Sequence, residues 1–259
     1  MISIKNKAAI RKMEEAGALL AAIFFDIPDL LTAGVATGEI DAWIEKQLVL
    51  RGLVSKMKGY RGYRHVSCIS VNDVVVHGIP SKHTLLADGD MVKVDVCAAW
   101  QGYCADMART FFVGEPHLEV HKQLAVVAQN ALDKGIEQAV VGNRLSDISA
   151  AIQAEVEKHG FGVVRDFAGH GIGKNMHEEP EILNYGLPGN GPLLRPGMAF
   201  ALEPMITLGK YQVYIEDDSW TVRTQDKNRA AHVEDTIVIT DGKPHILTRP
   251  NRVLAQGTI

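Results

Sequence analysis

Apolar positions recur at helical spacing over residues 8–25. They do so again after Thr37, where Ile40, Trp43, Ile44 and Leu48 form one stripe before Gly52. Thr37 is read as the N-cap of that second helix. From residue 66 to 114 the period changes. The stretches VSCIS, VVVHGI, MVKVDVCAAW and YCADMARTFFV are rich in β-branched and aromatic residues and separated by turn chemistry, which predicts strands. Two more helices are predicted over about 119–140 and 147–159, with Gly160 as the residue that stops the second. Strands return beyond it, interrupted by a Gly/Pro-rich stretch over 185–197.

Helices, sheet, helices, sheet suggest a repeated unit, and a shift of 108 residues supports it. Ile40, Ala42, Ile44 and Gly52 fall on Ile148, Ala150, Ile152 and Gly160, Gly89 falls on Gly197, and Asp95 falls on Glu203. DGDMVKVD and PGMAFALE share one design: a turn glycine, an apolar strand, and an acid at the same point on it. Coincidence is the competing explanation for so few matches. The duplicated reading makes the two strands present carboxylates toward each other.

Those acids carry the chemistry. Asp95 lies inside an apolar strand, where an unpaired carboxylate is costly to bury. Asp106 lies on the next strand, across a turn near residues 100–102. Two hairpin registers, offset by two residues, put Asp95 and Asp106 on one face, either directly opposite or diagonal; a slip of one residue separates them. Two acids on one buried face repel unless a proton or a cation lies between them. Arg109 is an alternative partner for Asp106. In the second half, Glu203 in MAFALEPM and Glu234 in AHVEDTIVI repeat the pattern, while Asp235 must face away from Glu234. Divalent cations are the economical compensation for four strand acids with no apparent basic partners. His170, in the glycine-flanked FAGHGIG, is read as a turn residue able to approach a metal; His77 and His177 sit at strand or loop ends. HEEPE lacks the second histidine of the zincin helix, and Pro180 breaks a helix there. An oxygen-rich set with one imidazole suits a two-metal hydrolytic site and differs from sulfur-rich structural zinc. It is compatible with manganese, iron(II), cobalt or zinc.

VNDVVVHGIP, VKVDV, CADMARTFFVG, GHGIGKNMHEEP, RPGMAFALEPM and HVEDTIVIT, in this order and spacing, resemble the bacterial type I methionine aminopeptidases over nearly the whole chain. The resemblance implies the pita-bread fold, an α+β architecture of two pseudo-symmetric halves with curved antiparallel sheet inside and helix pairs outside. One catalytic domain over residues 1–259 follows, with halves at about 1–114 and 115–259. By the same resemblance Asp95 is a ligand of one metal, His170 and Glu203 of a second, and Asp106 and Glu234 bridge both. A hydroxide between two divalent ions then attacks the carbonyl of an N-terminal methionine. Glu203 corresponds to the acid that moves the proton to the leaving amine. His77 and His177 correspond to histidines that hydrogen-bond the scissile amide and the tetrahedral intermediate. Tyr60, Tyr63, Cys68, Met176 and Trp220 correspond to the methionine pocket, where sulfur and aromatic contacts suit a thioether; core packing is the alternative for these five.

Two departures stand out. The family often reads H-G-D-[ST] around the bridging acid, whereas this chain has Cys104, Ala105, Asp106 and Met107. Alternation puts Cys104 on the Asp106 face, which is expected to bring a thiol close to the metals. Met176 stands where an aromatic residue is common, which is expected to widen the pocket.

Composition narrows the setting. Of 259 residues 46% are apolar and 22% charged, with net charge −4, so no global basic field recruits nucleic acid. The longest apolar run, over 16–25, is too short to cross a bilayer, and no secretory signal opens the chain. Cys68, Cys97 and Cys104 follow no metal spacing and suit a reducing cytoplasm. The basic-aromatic stretch KMKGYRGYRH, over 56–65, is placed by the resemblance as a site-lining loop. The expected partner is the N-terminal methionine of nascent polypeptides whose second residue is small, acted on by a monomer. Lys5, Lys7, Arg11 and Lys12 allow a transient ribosome contact or simply form a solvated helix face. One rival reading is a pita-bread Xaa-Pro peptidase, which usually carries a large preceding domain; a first strand near residue 66 leaves no room for one. Another is a metal-free pita-bread binding protein, expected to have lost ligands, whereas all five matching positions here hold an acid or histidine.

Overall fold

The computed structural model describes residues 2–249. Helix α1 spans Lys7–Asp26, opened by Asn6, whose side chain accepts from the Ala9 N–H at 2.9 Å. Helix α2 spans Thr37–Leu50. Thr37 is not its N-cap. Ala36 is, and its N–H donates to the Glu39 carboxylate at 3.2 Å. The Thr37 hydroxyl is engaged elsewhere, accepting from the Ser81 N–H at 2.9 Å and donating to the Ser81 carbonyl at 3.2 Å. A tertiary partner of both kinds outcompetes the local cap.

Strands β1 (Val54–Ser55), β2 (Cys68–Val71), β3 (Val74–Val76), β4 (Met91–Trp100) and β5 (Tyr103–Phe112) follow. Helices α3 (Glu119–Gln138) and α4 (Leu145–Glu157) come next. Helix α4 begins two residues before its predicted start, because Asp147 is the third helical residue and accepts from the Arg144 N–H at 2.7 Å. That cap is the Ala36–Glu39 cap displaced by 108 positions. The second half continues with β6 (Gly162–Val163), β7 (Gly169–Gly171), β8 (Glu178–Ile182), β9 (Ala199–Leu202), β10 (Met205–Thr207), β11 (Val213–Ile215), β12 (Val222–Thr224), β13 (Ala230–His232), β14 (Glu234–Val238) and β15 (His245–Ile246).

The main sheet runs β1-β4-β5-β14-β9-β7-β8, with β2 also on β4 and β15 also on β14, and its ladders are antiparallel. Two three-stranded sheets, β13-β10-β6 and β11-β12-β3, stand beside it. The β4–β5 hairpin turns at Gln101 and Gly102, both at positive φ (47° and 79°), which matches the twist of the flanking strands. Trp100 therefore pairs with Tyr103, and Asp95 and Asp106 are diagonal neighbours on one face.

The opposite face is apolar. Val92, Val94, Val96, Ala105 and Met107 pack against α1 and α2, while Phe200, Leu202 and Ile237 pack against α3 and α4. Each such valine or isoleucine contributes roughly 1.5–3 kcal/mol on full burial, so a one-residue slip would expose a whole row and is excluded. The two halves also start their central strands alike. The Gly89 N–H donates to the Val113 carbonyl and the Val113 N–H to the Asp90 carbonyl; Gly197, Ile239 and Met198 repeat this pattern. Curved antiparallel sheet inside and a helix pair outside each half make this a pita-bread fold. Among the described residues no helix is long and apolar enough to cross a membrane.

Candidate metal centre

The ladders carry Asp95, Asp106, His170, Glu203 and Glu234 to one face of the main sheet. Asp95 and Glu234 both stand opposite Ala108, on the strands flanking it, and Asp106 is two residues from Ala108 on β5. Leu202 pairs with Asp235, so Glu203, immediately past β9, continues the row beside Glu234. His170 pairs with Ala201, two residues before Glu203. The sheet opens here. Beyond Met107 the Thr236 hydroxyl takes over from the ladder, accepting from the Asp106 N–H and donating to the Asp106 carbonyl, both at 2.8 Å.

His170 lies in strand β7, not in a turn. Its flanking glycines serve the neighbouring strands: a Cβ on Gly169 would meet the Ala201 oxygen at 2.4 Å, and one on Gly171 the Glu179 oxygen at 2.1 Å. The ring nitrogen Nδ1 is 2.9 Å from the Gly171 carbonyl, which only accepts, so Nδ1 carries the proton and Nε2 offers a lone pair. Nε2 is 3.5 Å from Glu203 Oε1 and 3.9 Å from Asp106 Oδ2. Burial, helped by His177, lowers the His170 pKa to about 4, so the ring is neutral near pH 7.

The acids are held in an environment that disfavours their charge. Burial, reinforced by Asp106, raises Asp95; burial with Asp106 and Asp95 raises Glu203; burial with Asp106, Glu203 and Asp95 raises Glu234. Burial pushes Asp106 up to about 6, opposed by the Cys97 thiol and the Met107 N–H, which donates to Oδ1 at 3.1 Å. Glu234 Oε1 is buried without a hydrogen-bond partner. An orphaned carboxylate oxygen costs roughly 1–3 kcal/mol or more. Asp106, His170 and Glu234 each offer a ligand atom within 4.8 Å of the others. Carboxylate oxygens with one imidazole lone pair, one oxygen lacking any donor, fit a divalent cation.

Asp235 faces the other way, as parity requires. It accepts from Arg109 Nη2 at 2.6 Å, Thr248 Oγ1 at 2.7 Å and Arg249 Nε at 2.6 Å. Arg109 is thereby taken from Asp106, and the alternative pairing does not occur.

A cavity of about 610 Å³ opens onto this face. Tyr60, Tyr63, Cys68, Met176 and Trp220 line it together with His77 and His177, and the loop over 56–65 contributes its wall. His77 sits at φ 59°, a strained setting for a non-glycine residue, with its ring 5.5 Å from Phe167 and 6.3 Å from Trp220 between centroids. Burial lowers its pKa to about 4. Nδ1 of His177 is 3.1 Å from the Tyr60 hydroxyl.

Sequence reasoning missed Met57, Phe167 and Met205 in the cavity wall, and also Cys97. The expected proximity of Cys104 to the ligands is corrected in detail. Cys104 shares the face without lining the cavity, its thiol donating to the Lys174 carbonyl at 3.4 Å, whereas Cys97 pairs directly with Asp106 across the ladder and lines the cavity. Lys5 is also not a free surface cation: it is buried against Glu178 at 2.7 Å.

The profile of Metallopeptidase family M24 matches residues 11–241. This chain belongs to that family. The methionine aminopeptidase of Clostridium acetobutylicum is 46% identical over 248 residues, spanning 96% of this chain and 99% of its own. The crystal structure of methionine aminopeptidase from Thermotoga maritima superimposes with a TM-score of 0.94 at 41% identity, covering 96% of this chain and all (100%) of that one. Prolidase from Pyrococcus furiosus shares the fold, with a TM-score of 0.75 at 22% identity, over 96% of this chain and 66% of its own.

Proposed function

We propose that this M24 enzyme is a metal-dependent methionine aminopeptidase, removing the initiator methionine of nascent polypeptides whose second residue is small. The observation that carries this reading is the cavity itself. One wall is built from Met57, Tyr60, Tyr63, Cys68, Met176 and Trp220, and the floor from the five candidate ligands. Sulfur and aromatic groups favour a straight thioether side chain. The full-length identity to methionine aminopeptidases supports the same reading.

Asp95 is assigned to one cation, His170 and Glu203 to a second, and Asp106 and Glu234 to both. The cations, of manganese, iron(II), cobalt or zinc, would supply an acidified water and a polarised scissile carbonyl. The protein's own groups do the rest. His77 and His177, neutral at pH 7, donate or accept single hydrogen bonds at the scissile amide and its tetrahedral successor. Glu203, at the edge of the ligand row, is the group that would take a proton from the attacking water and pass it to the leaving amine. The aromatic wall excludes water from the methionine side chain.

The two halves are read as one catalytic domain, since ligands from both are needed for the row. A reducing cytoplasm fits three free, buried cysteines, and the reading keeps the enzyme a monomer. A passing ribosome contact would fall to exposed Lys7 and Arg11 on α1, with Lys5 withdrawn into its ion pair.

A peptide series X-Ala-Ser with X as Met, norleucine, Leu, Ala and Phe tests the pocket assignment. Cleavage confined to Met and the isosteric norleucine supports it; equal cleavage of the Ala and Phe peptides overturns it.

A further inference from the structure

A second histidine faces Glu203, and no step above uses it. His232 ends β13 and is almost fully buried, at 2% exposure. Its backbone is pinned on both edges: it pairs with Met205 of β10, its N–H donates to Thr110 Oγ1 at 3.1 Å, and its carbonyl accepts from the same hydroxyl at 2.8 Å. The ring is therefore delivered to a fixed place. There Nε2 has no hydrogen-bond partner, and it lies 3.7 Å from Glu203 Oε2. Glu203 thus stands between two imidazoles, Oε1 toward His170 Nε2 and Oε2 toward His232 Nε2. The two rings differ in what they offer. His170 presents a lone pair, because its proton is committed to the Gly171 carbonyl. With Glu203 ionised as a ligand, a lone pair on His232 Nε2 would oppose the lone pairs of Oε2, whereas an Nε2–H would meet them, so the tautomer that fits the pair carries its proton on Nε2.

We propose that His232 is a positioning residue for Glu203: its Nε2–H donates to Oε2, fixes the carboxylate plane and turns Oε1 toward His170, leaving one oxygen for the shared cation. Outer groups that orient ligating carboxylates or histidines typically change metal affinity by about 10–100-fold when removed. The 3.7 Å spacing is longer than a formed hydrogen bond, and the proposal requires it to close when Oε1 is engaged by a cation. The inference rests on the assignment of Glu203 as a ligand.

Calorimetric titration of the metal-stripped full chain with Mn²⁺ separates the two claims. The glutamine of His232→Gln reaches its amide N–H to where Nε2 stands; the asparagine of His232→Asn stops short. We expect His232→Gln to bind Mn²⁺ within about threefold of the parent, and His232→Asn and His232→Leu to bind at least about tenfold more weakly. The same two losses should appear in kcat with KM little changed. In a Glu203→Gln background, His232→Leu should cost nothing further. Parent-like Mn²⁺ affinity in His232→Asn, with affinity lost in Glu203→Gln, overturns the role of His232. Parent-like affinity in Glu203→Gln overturns the ligand assignment instead. If His232→Leu does not fold, the glutamine–asparagine pair decides alone.

Discussion

Cys97 stands directly across the β4–β5 ladder from Asp106, and its thiol counters part of the upward shift that burial imposes on that carboxyl. Hydrogen bonds to charged groups contribute about 1.5–3 kcal/mol. Cys97→Ala is expected to raise the Asp106 pKa and weaken metal binding by about tenfold, while Cys97→Ser keeps a donor and most of the affinity. Titration of both variants at one pH checks this; equal affinity in alanine and serine variants would contradict it.

Metal affinity should rise with pH. Asp106 holds its proton up to about 6, and burial raises Asp95, Glu203 and Glu234 as well, so a cation must displace protons from carboxyls below and around neutrality. His170, at about 4, is already neutral there and competes little. The sign follows: fewer bound protons at higher pH means tighter metal, by up to about tenfold per pH unit for each proton displaced. Calorimetry in buffers of differing ionisation enthalpy counts the protons. A flat affinity between about pH 5.5 and 7.5 would exclude this.

Asp235→Ala should separate folding from chemistry. Its carboxylate, fully buried, joins Arg109, Thr248 and Arg249 on the face away from the ligands. Removing one partner of a buried ion pair costs about 3–5 kcal/mol. We expect the urea midpoint to fall while the protein that remains folded binds metal as before. Loss of metal affinity without loss of stability would place Asp235 in the site.

Tyr60→Phe removes the hydroxyl 3.1 Å from His177 Nδ1 while leaving the aromatic wall in place. One hydrogen bond is worth about 1 kcal/mol, so kcat/KM should drop about fivefold with metal affinity unchanged. No change in kcat/KM would show that His177 does not depend on Tyr60.

The candidate ligands were legible because buried acids are anomalous on apolar strands, and because strand parity decides faces without coordinates. The duplication was legible as well; it reappears in paired caps, Ala36–Glu39 and Arg144–Asp147, which no periodicity displays. What stayed hidden depended on choices between allowed registers. Cys97 meets Asp106 only in the register set by the Gln101–Gly102 turn; the alternative, offset by two, would put Asp95 there. His232 lies on a three-residue strand, too short to show a period, and its approach to Glu203 is a tertiary contact between segments. Thr37 read as a cap by local rules, and a distant loop claimed it.

The most direct measurement is hydrolysis of Met-Ala-Ser and Ala-Pro-Ser peptides by chelator-treated enzyme, before and after adding a divalent metal. We expect no cleavage of either peptide without metal, and restored release of methionine from Met-Ala-Ser alone with it. Cleavage of Ala-Pro-Ser with none of Met-Ala-Ser, or methionine release that survives chelation, would contradict a metal-dependent methionine aminopeptidase.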